Sequence, residues 1–271
     1  MEQEKVLSAH PVSDAMQATV RAELAGLERH HGVTVLFACE SGSRGWGFAS
    51  PDSDYDVRFI YVHRLPWYLT VSPGRDVIEQ PISGELDVSG WELRKTLGLL
   101  RASNPTVLEW LRSPIVYRQA QPWAERLHAL AVQGFSPVRG YHHYVSMARK
   151  NLRAHLSGDV VRYKKYFYVL RPLLAARWIR EGRGAPPMRF AQLAACTLAD
   201  DAGLLAEINE LLELKMRLGE AAKGPRRARI CSFLERELAC AMAHQPGPSD
   251  SCDAAPLDGY LREAVAHFHE E

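Results

Sequence analysis

The stretch that decides the fold is residues 41–62, SGSRGWGFASPDSDYDVRFIYV. It begins with a glycine–serine pair, Gly42 and Ser43, in a glycine-rich segment that predicts a turn. Two aspartates, Asp54 and Asp56, then open a run of aromatic and β-branched residues that is typical of a strand. The acidic pair is therefore expected at the start of a strand, with ten residues between it and the glycine–serine pair.

One helix and further strands are predicted around this stretch. Residues 13–30 repeat apolar side chains at three- and four-residue spacing, which indicates an amphipathic helix. Residues 33–40, VTVLFACE, form an apolar and β-branched run that predicts a buried strand. ELDVSG at 85–90 predicts a third strand that runs into a helix capped by Ser89. Residues 66–84, punctuated by proline and glycine, are typical of an insertion or hairpin.

The remainder of the chain has mostly helical patterns. Further helices are predicted at 91–103, 106–113, 123–132, 138–156, 160–181, 188–198, 203–219 and 225–243. The Pro-, Ser- and Asp-rich residues 244–258 predict a mobile loop, followed by a short terminal helix. We therefore expect an α+β protein, with a small mixed-sheet core at 1–115 and a helical domain at 116–271.

Three carboxylates are the candidate catalytic and metal-binding residues. Because strand side chains alternate faces, Asp54 and Asp56 point the same way, about 6–7 Å apart, and repel each other unless a cation lies between them. Asp87 lies between Leu86 and Val88, so it faces away from the core, toward the pair if the strands are adjacent. Three such acids suit two divalent metals and phosphoryl transfer. A surface turn rich in aspartate is the alternative interpretation of the PDSDYD motif.

The residues beside the acids predict phosphate binding. Glycine at position 42 lets the backbone approach a phosphate closely, and the Ser43 hydroxyl can donate a hydrogen bond to it. Arg44 would add positive charge. GSRGWG resembles a dinucleotide-binding glycine motif only weakly, because it lacks the G-x-G-x-x-G spacing.

Charge is distributed unevenly along a chain whose net charge is +1. Residues 139–189 contain twelve Lys or Arg against two Asp or Glu, which indicates a surface that faces a polyanion, although a solvated helix pair would have the same pattern. Lys164, Arg171 and Trp178 share a helix face at seven-residue spacing, so the two cations could bind a triphosphate or the phosphates of an acceptor.

The bulk composition is that of an ordinary globular protein. Hydrophobic residues make up 46% and charged residues 24% of the 271 residues. The five cysteines include no CxxC pair, and no apolar run approaches about 20 residues, so we expect a cytoplasmic protein without a membrane span.

The chain resembles the DNA polymerase β-like nucleotidyltransferases, and more narrowly the RlaP group associated with RNA repair and RNA ligases. The resemblance is carried by residues 41–62, by 86–114 (LDVSGWELRKTLGLLRASNPTVLEWLRSP) and by 164–179 (KKYFYVLRPLLAARWI). It implies that the glycine–serine pair contacts nucleotide phosphates and that Asp54, Asp56 and Asp87 bind two metal ions, Mg²⁺ or Mn²⁺.

The resemblance implies transfer of a nucleoside monophosphate from an NTP, such as ATP, to an acceptor hydroxyl with release of pyrophosphate. The basic segment favours an RNA 3′ end as the acceptor. Two alternatives remain open: nucleotidylation of a protein or of a small molecule such as an antibiotic, and a non-catalytic nucleotide or RNA sensor.

Overall fold

The computed structural model describes residues 10–248 and 253–269. The chain forms two compact units that alternate along the sequence. We call them the sheet unit, made of Val12–Gly42, Asp54–Phe135 and Ser251–Glu271, and the helical unit, made of Met1–Pro11, Ser43–Ser53 and Ser136–Asp250. The sequence-based division places one boundary at residue 115, whereas each of these units is made of three separate stretches of the chain. The boundary at residue 115 stays a prediction.

The sheet unit combines strands with covering helices. Its strands are β1 (Val33–Glu40), β2 (Tyr55–His63), β3 (Val77–Glu79), β4 (Leu86–Glu92) and β5 (Val116–Gln119). Its helices are α1 (Asp14–His31), α3 (Leu65–Tyr68), α4 (Leu93–Arg101), α5 (Pro105–Leu111), α6 (Trp123–Gln133) and α12 (Ala255–His267).

The sheet is mixed, in the order β3-β4-β2-β1-β5. β2 and β4 are parallel neighbours, and the other pairings, β1 with β2, β1 with β5 and β3 with β4, are antiparallel. A mixed sheet together with many helices confirms the expected α+β class.

The two faces of the sheet are buried by different helices. On β2, Val57 and Phe59 join a core cluster with Leu24 of α1, because residues two apart share a face. Ile60 and Val62 point the other way and join a cluster supplied by α4, α5, α6 and α12. Asp56 has the same parity as this second pair and lies at the beginning of the strand.

The helical unit contains the remaining elements. Its helices are α2 (Gly42–Trp46), α7 (Pro137–His155), α8 (Tyr163–Arg180), α9 (Phe190–Thr197), α10 (Ala202–Leu218) and α11 (Ala228–Ala243). Its strands are the antiparallel pair β6 (Val160–Arg162) and β7 (Lys223–Pro225). The first residue of α2 is the last residue of a sheet-unit segment. In α8 nearly every residue from Tyr166 to Ile179 is buried, so this helix is the central element of the unit.

Several local predictions were wrong, for identifiable reasons. The strand that was expected to end at Gly90 continues to Glu92, and Glu92 rather than Ser89 caps α4 by accepting from the Lys95 N–H at 3.2 Å. Gly90 is a glycine inside a strand because the Phe59 ring covers it; a Cβ there would lie 2.4 Å from the ring.

Other differences depend on pairing between distant residues. The predicted glycine-rich turn is the short helix α2. Residues 160–162, predicted as the start of a helix, form strand β6 instead. Its partner strand β7 includes residue 225, where the helix predicted at 225–243 was expected to start. Of the loop predicted at 244–258, residues 249–252 lie outside the described residues, and residues 255–258 begin α12.

Within the described part of the chain, every helix is too short or too polar to span a lipid bilayer.

Candidate functional site

Two of the three predicted acids are direct neighbours in the sheet. Asp56 is the second residue of β2 and Asp87 is the second residue of β4, and they are partners in the parallel ladder. The two strands are adjacent, which was the condition for Asp87 to face the other acids. Asp54 precedes β2 and is exposed.

An arginine joins the two carboxylates. Nη2 of Arg58 lies 3.0 Å from Oδ1 of Asp56 and 2.8 Å from Oδ2 of Asp87. Its Nη1 donates to the backbone carbonyls of Val57 and Asp87, both at 3.0 Å. Four contacts therefore hold this half-buried guanidinium in place, where it neutralises the repulsion between the acids.

A buried glutamate fixes the backbone of Asp56. Glu40, at the end of β1, is fully buried, and its Oε1 accepts the Asp56 N–H at 2.8 Å. Its other oxygen accepts a hydrogen bond from the Tyr117 hydroxyl. On the other side, the Ser41 N–H donates to the Asp56 carbonyl at 2.8 Å. Both main-chain polar groups of Asp56 are therefore hydrogen-bonded, so its backbone is held in place without the ion pair between its side chain and Arg58.

Gly42 lies against the same carboxylate. Its φ is +54°, a left-handed conformation that favours glycine. A Cβ built at this position would lie 1.9 Å from Oδ2 of Asp56 and 2.8 Å from its Cγ. Only glycine fits here without moving the acid.

The residues that follow Gly42 belong to the helical unit, where a buried lysine organises them. Nζ of Lys215, 1% exposed, donates to the Phe48 carbonyl at 3.0 Å and to the Ser50 hydroxyl at 3.1 Å. It also pairs with Glu220 at 2.7 Å, and Glu220 accepts from the Ser53 hydroxyl at 2.6 Å. Residues 43–53 are thus fixed from their buried side.

The charges of this network are coupled. Burial opposes the ionisation of Glu220, but hydrogen bonds from Lys215 and Ser53 outweigh it and lower the pKa of Glu220 to about 2. Burial lowers the pKa of Lys215, and Glu220 opposes that shift. Lys164 pairs with the second oxygen of Glu220 at 3.2 Å, so one predicted nucleotide ligand is held within this network.

The other two predicted cationic ligands are also engaged inside the helical unit. Arg44 is buried, and its guanidinium donates to the Ser53 carbonyl at 2.7 Å and to the His10 carbonyl at 3.2 Å. Arg171 is 4% exposed, with its guanidinium carbon 4.8 Å from the centre of the Trp46 ring. The predicted cationic face of α8 is therefore buried at Arg171, and roles for these residues in nucleotide binding stay predictions.

The donor set at the acid pair is chemically suited to a divalent cation. Carboxylate oxygens are the ligands that Mg²⁺ and Mn²⁺ prefer, and the absence of a Cβ at Gly42 allows the Asp56 carboxylate to take its position. Among residues 10–248 and 253–269, no three His, Cys, Asp or Glu side chains converge as a metal cluster. Instead, the Asp56–Asp87 pair holds the Arg58 guanidinium.

Three residues of these networks were not predicted from the sequence. Arg58 follows Asp56 at the two-residue spacing of a shared strand face, which was an available signal. Glu40 ends an apolar run, a position where a charged residue is unusual. Lys215 lies 162–167 residues from its serine and carbonyl partners, and nothing in the local sequence distinguishes it from an exposed helical lysine.

Comparison with known proteins finds a family model, a sequence relative and a solved structure to which this chain is similar. Residues 16–263 match the family described as RNA repair pathway DNA polymerase beta family, RlaP. YcgL of Bacillus subtilis strain 168, an uncharacterized protein, is 48% identical over 223 residues, which cover 82% of this chain and 85% of YcgL. A solved structure of a nucleotidyltransferase-like protein from Exiguobacterium sibiricum 255-15 aligns with 93% of this chain and 78% of its own, with 12% identity and a TM-score of 0.31.

Proposed function

Because this chain belongs to the RNA repair pathway DNA polymerase beta family, we propose that it is a nucleotidyltransferase that transfers a nucleoside monophosphate from an NTP to the 3′ hydroxyl of an RNA. The observation that supports this most directly is the pairing of Asp56 with Asp87 on adjacent parallel strands, beside a glycine whose Cβ would displace Asp56.

The acids of the sheet unit have distinct roles in this proposal. Asp54, Asp56 and Asp87 would hold two Mg²⁺ ions, which supply positive charge to the triphosphate and to the attacking oxygen. Asp87 accepts the proton of the attacking hydroxyl. Arg58 would compete with these ions for the acid pair, because its Nη2 contacts one oxygen of each carboxylate.

Gly42 and Ser43 provide the phosphate contacts. The positive φ of Gly42 turns the chain at the end of β1. The hydroxyl and the N–H of Ser43 donate hydrogen bonds to the triphosphate, which restrains the leaving pyrophosphate. The Lys215 network keeps residues 43–53 ordered before the nucleotide binds, so less binding energy is lost in ordering the loop.

The test is a transfer assay with each α-³²P-labelled NTP, Mg²⁺ and a single-stranded RNA of defined 3′ end. We expect label on the RNA and an equal yield of pyrophosphate. Asp56→Asn and Asp87→Asn should reduce the rate at least a hundredfold. Asp76→Asn, which removes a carboxylate paired with Lys95 in the same unit, is the matched control and should retain activity.

Two further measurements separate the alternatives. Ser43→Ala should weaken NTP binding by about ten- to a hundredfold, the value of a hydrogen bond to a charged group. RNA that ends in a 3′ phosphate should receive no label. Label on a protein or small-molecule hydroxyl, with none on RNA, would support the first alternative, and NTP binding without any transfer would support a sensor.

A further inference from the structure

The strongly basic segment 139–189 contains two groups of cations with different environments. Those of α8 and the turn after it are mostly engaged within the protein. Their partners are Glu220 for Lys164, Glu181 and Asp200 for Arg177, Glu237 for Arg180, Glu181 for Arg183, and the Trp46 ring for Arg171. A ligand would have to compete with these partners, so α8 is a poor surface for an outside polyanion.

The cations in the second half of α7, in contrast, are exposed to solvent. Arg149, Lys150 and Arg153 are exposed, and the whole helix contains no acidic residue. Within the described residues, none of the three has an ion-pair partner. Together with Ser146 and Ala154 they line a shallow concavity of about 430 Å³. We call these five residues the α7 basic face.

The scaffold that presents this face is firmly packed. The Tyr141 hydroxyl donates to the Ala241 carbonyl at 2.8 Å, which holds α7 against α11. Asn151 donates through Nδ2 to the Tyr168 carbonyl at 2.9 Å, and Ala148 is fully buried. Arg149 and Arg153 are one helical turn apart, about 6 Å along the axis, so they project as neighbours from a rigid surface.

We propose that the α7 basic face binds the sugar–phosphate backbone of the acceptor RNA. This inference rests on the proposed function for the identity of the RNA as an acceptor, but the charge complementarity is a property of the face itself. Arginine forks bind phosphate oxygens in pairs, and the Ser146 hydroxyl can add a neutral contact.

The composition of the face favours a nucleic acid over an acidic protein. Protein interfaces depend on aromatic or aliphatic anchors in buried pockets. The α7 basic face has no aromatic residue and no apolar side chain larger than that of Ala154. Phosphate binding needs only accessible cations, because released counterions provide the driving force.

The test measures binding to a fluorescein-labelled, unstructured single-stranded RNA by anisotropy, without NTP and with EDTA, from 50 to 300 mM salt. The full chain is compared with the triple variant Arg149→Gln/Lys150→Gln/Arg153→Gln. Each lost phosphate contact should flatten the log–log salt slope by about 0.7, so we expect a change of about 2 and at least tenfold weaker binding at low salt.

The matched control is Arg21→Gln/Arg29→Gln/Arg217→Gln, which removes the same charge from exposed helix positions elsewhere and should leave the slope unchanged. An equal slope change in both variants, an unchanged slope in the α7 variant, or no binding by the unmodified chain would overturn the inference. So would preferential binding of a polyglutamate peptide. Because the assay contains no NTP or metal, binding that depends on the face stands even if the transfer assay gives no product.

Discussion

At the scale of single residues, the position of one carboxylate depends on a missing methyl group. Gly42 combines a positive φ with a Cβ position 1.9 Å from Asp56 Oδ2. Gly42→Ala should therefore lose transfer activity, because Asp56 must move, and should lose roughly 1–2 kcal/mol of stability from backbone strain. Activity assays and urea unfolding measure the two effects separately.

Gly32 provides the control for that substitution. It also has a positive φ, +61°, but a Cβ there would meet no atom within 4 Å. Gly32→Ala should have a similar cost in stability and retain full activity. If the two variants are equally active, the close approach of Gly42 to Asp56 has no functional importance.

Arg58 should act as a competitor for divalent cations. It pairs with Asp56 and Asp87 at once, and half-exposed ion pairs are worth up to about 1 kcal/mol each. Arg58→Gln should therefore bind Mn²⁺ up to about thirtyfold more tightly, the equivalent of up to about 2 kcal/mol for the two pairs, as measured by electron paramagnetic resonance. Arg75→Gln, which breaks an exposed pair with Glu79, should leave Mn²⁺ affinity unaltered. Weaker Mn²⁺ binding by Arg58→Gln would show that the arginine supports the metal site.

The sequence predicted that Asp87 would lie near Asp56 if their strands were adjacent, as they are, but Arg58, which contacts both acids, was not predicted. The two-residue period that placed Asp54 and Asp56 on one face also includes residue 58. The distinction between Asp54, exposed before the strand, and Asp56, held by Glu40, depends on where β2 begins, and pattern alone does not define strand ends.

At the scale of elements, the segment between β1 and β2 takes its order from distant helices. Lys215 and Glu220, near the end of α10, reach Phe48, Ser50 and Ser53 through buried hydrogen bonds. A buried lysine needs such partners, because an isolated ammonium group is costly to remove from water. The sequence predicted α10 correctly but gave no indication of this role.

Glu220 should contribute stability that depends on pH. Its pKa falls from an ordinary value of 4.5 to about 2 on folding, so the contribution is complete above pH 4.5 and is lost as pH decreases toward 2. The size is on the order of 2–3 kcal/mol. Glu220→Gln should therefore be less stable than the unmodified protein at pH 7, and the difference should shrink between pH 4.5 and 2.

Urea unfolding at a series of pH values measures this difference. Glu213→Gln removes the same charge from an exposed position of α10 and should show no such convergence. A difference between Glu220→Gln and the unmodified protein that stays constant with pH would contradict the strongly lowered pKa of Glu220.

At the scale of the whole molecule, the sheet unit is completed by residues from the far end of the sequence. Leu257, Tyr260 and Phe268 of the α12 region are buried in the cluster that contains Trp123. The Tyr260 hydroxyl donates to the Trp123 carbonyl at 2.9 Å, and Arg126 pairs with Glu263 at 2.6 Å. The sequence predicted a short terminal helix but could not identify its partner, because the contact spans more than a hundred residues.

Removing this helix should destabilise the sheet unit. A chain that ends at residue 248 exposes the Trp123 cluster and should lose about 5 kcal/mol or more, a large part of the stability of an ordinary domain. Thermal unfolding and hydrogen exchange in β1 and β2 measure the loss. If that chain does not accumulate, Tyr260→Ala in the full chain should still cost about 3–5 kcal/mol. A truncated chain of normal stability would mean that α12 does not stabilise the sheet unit.

The place of α12 in the sequence also determines when the protein can finish folding during its synthesis. The chain leaves the sheet unit after Phe135 and returns at Ser251, so the helical unit emerges from the ribosome before the last piece of the sheet unit exists. Domains generally fold as units, beginning from the N-terminus, as they are synthesised. Here the strands that contain Asp56 and Asp87 are made before most of the helical unit, and their apolar face on the α12 side stays uncovered until α12 has been made.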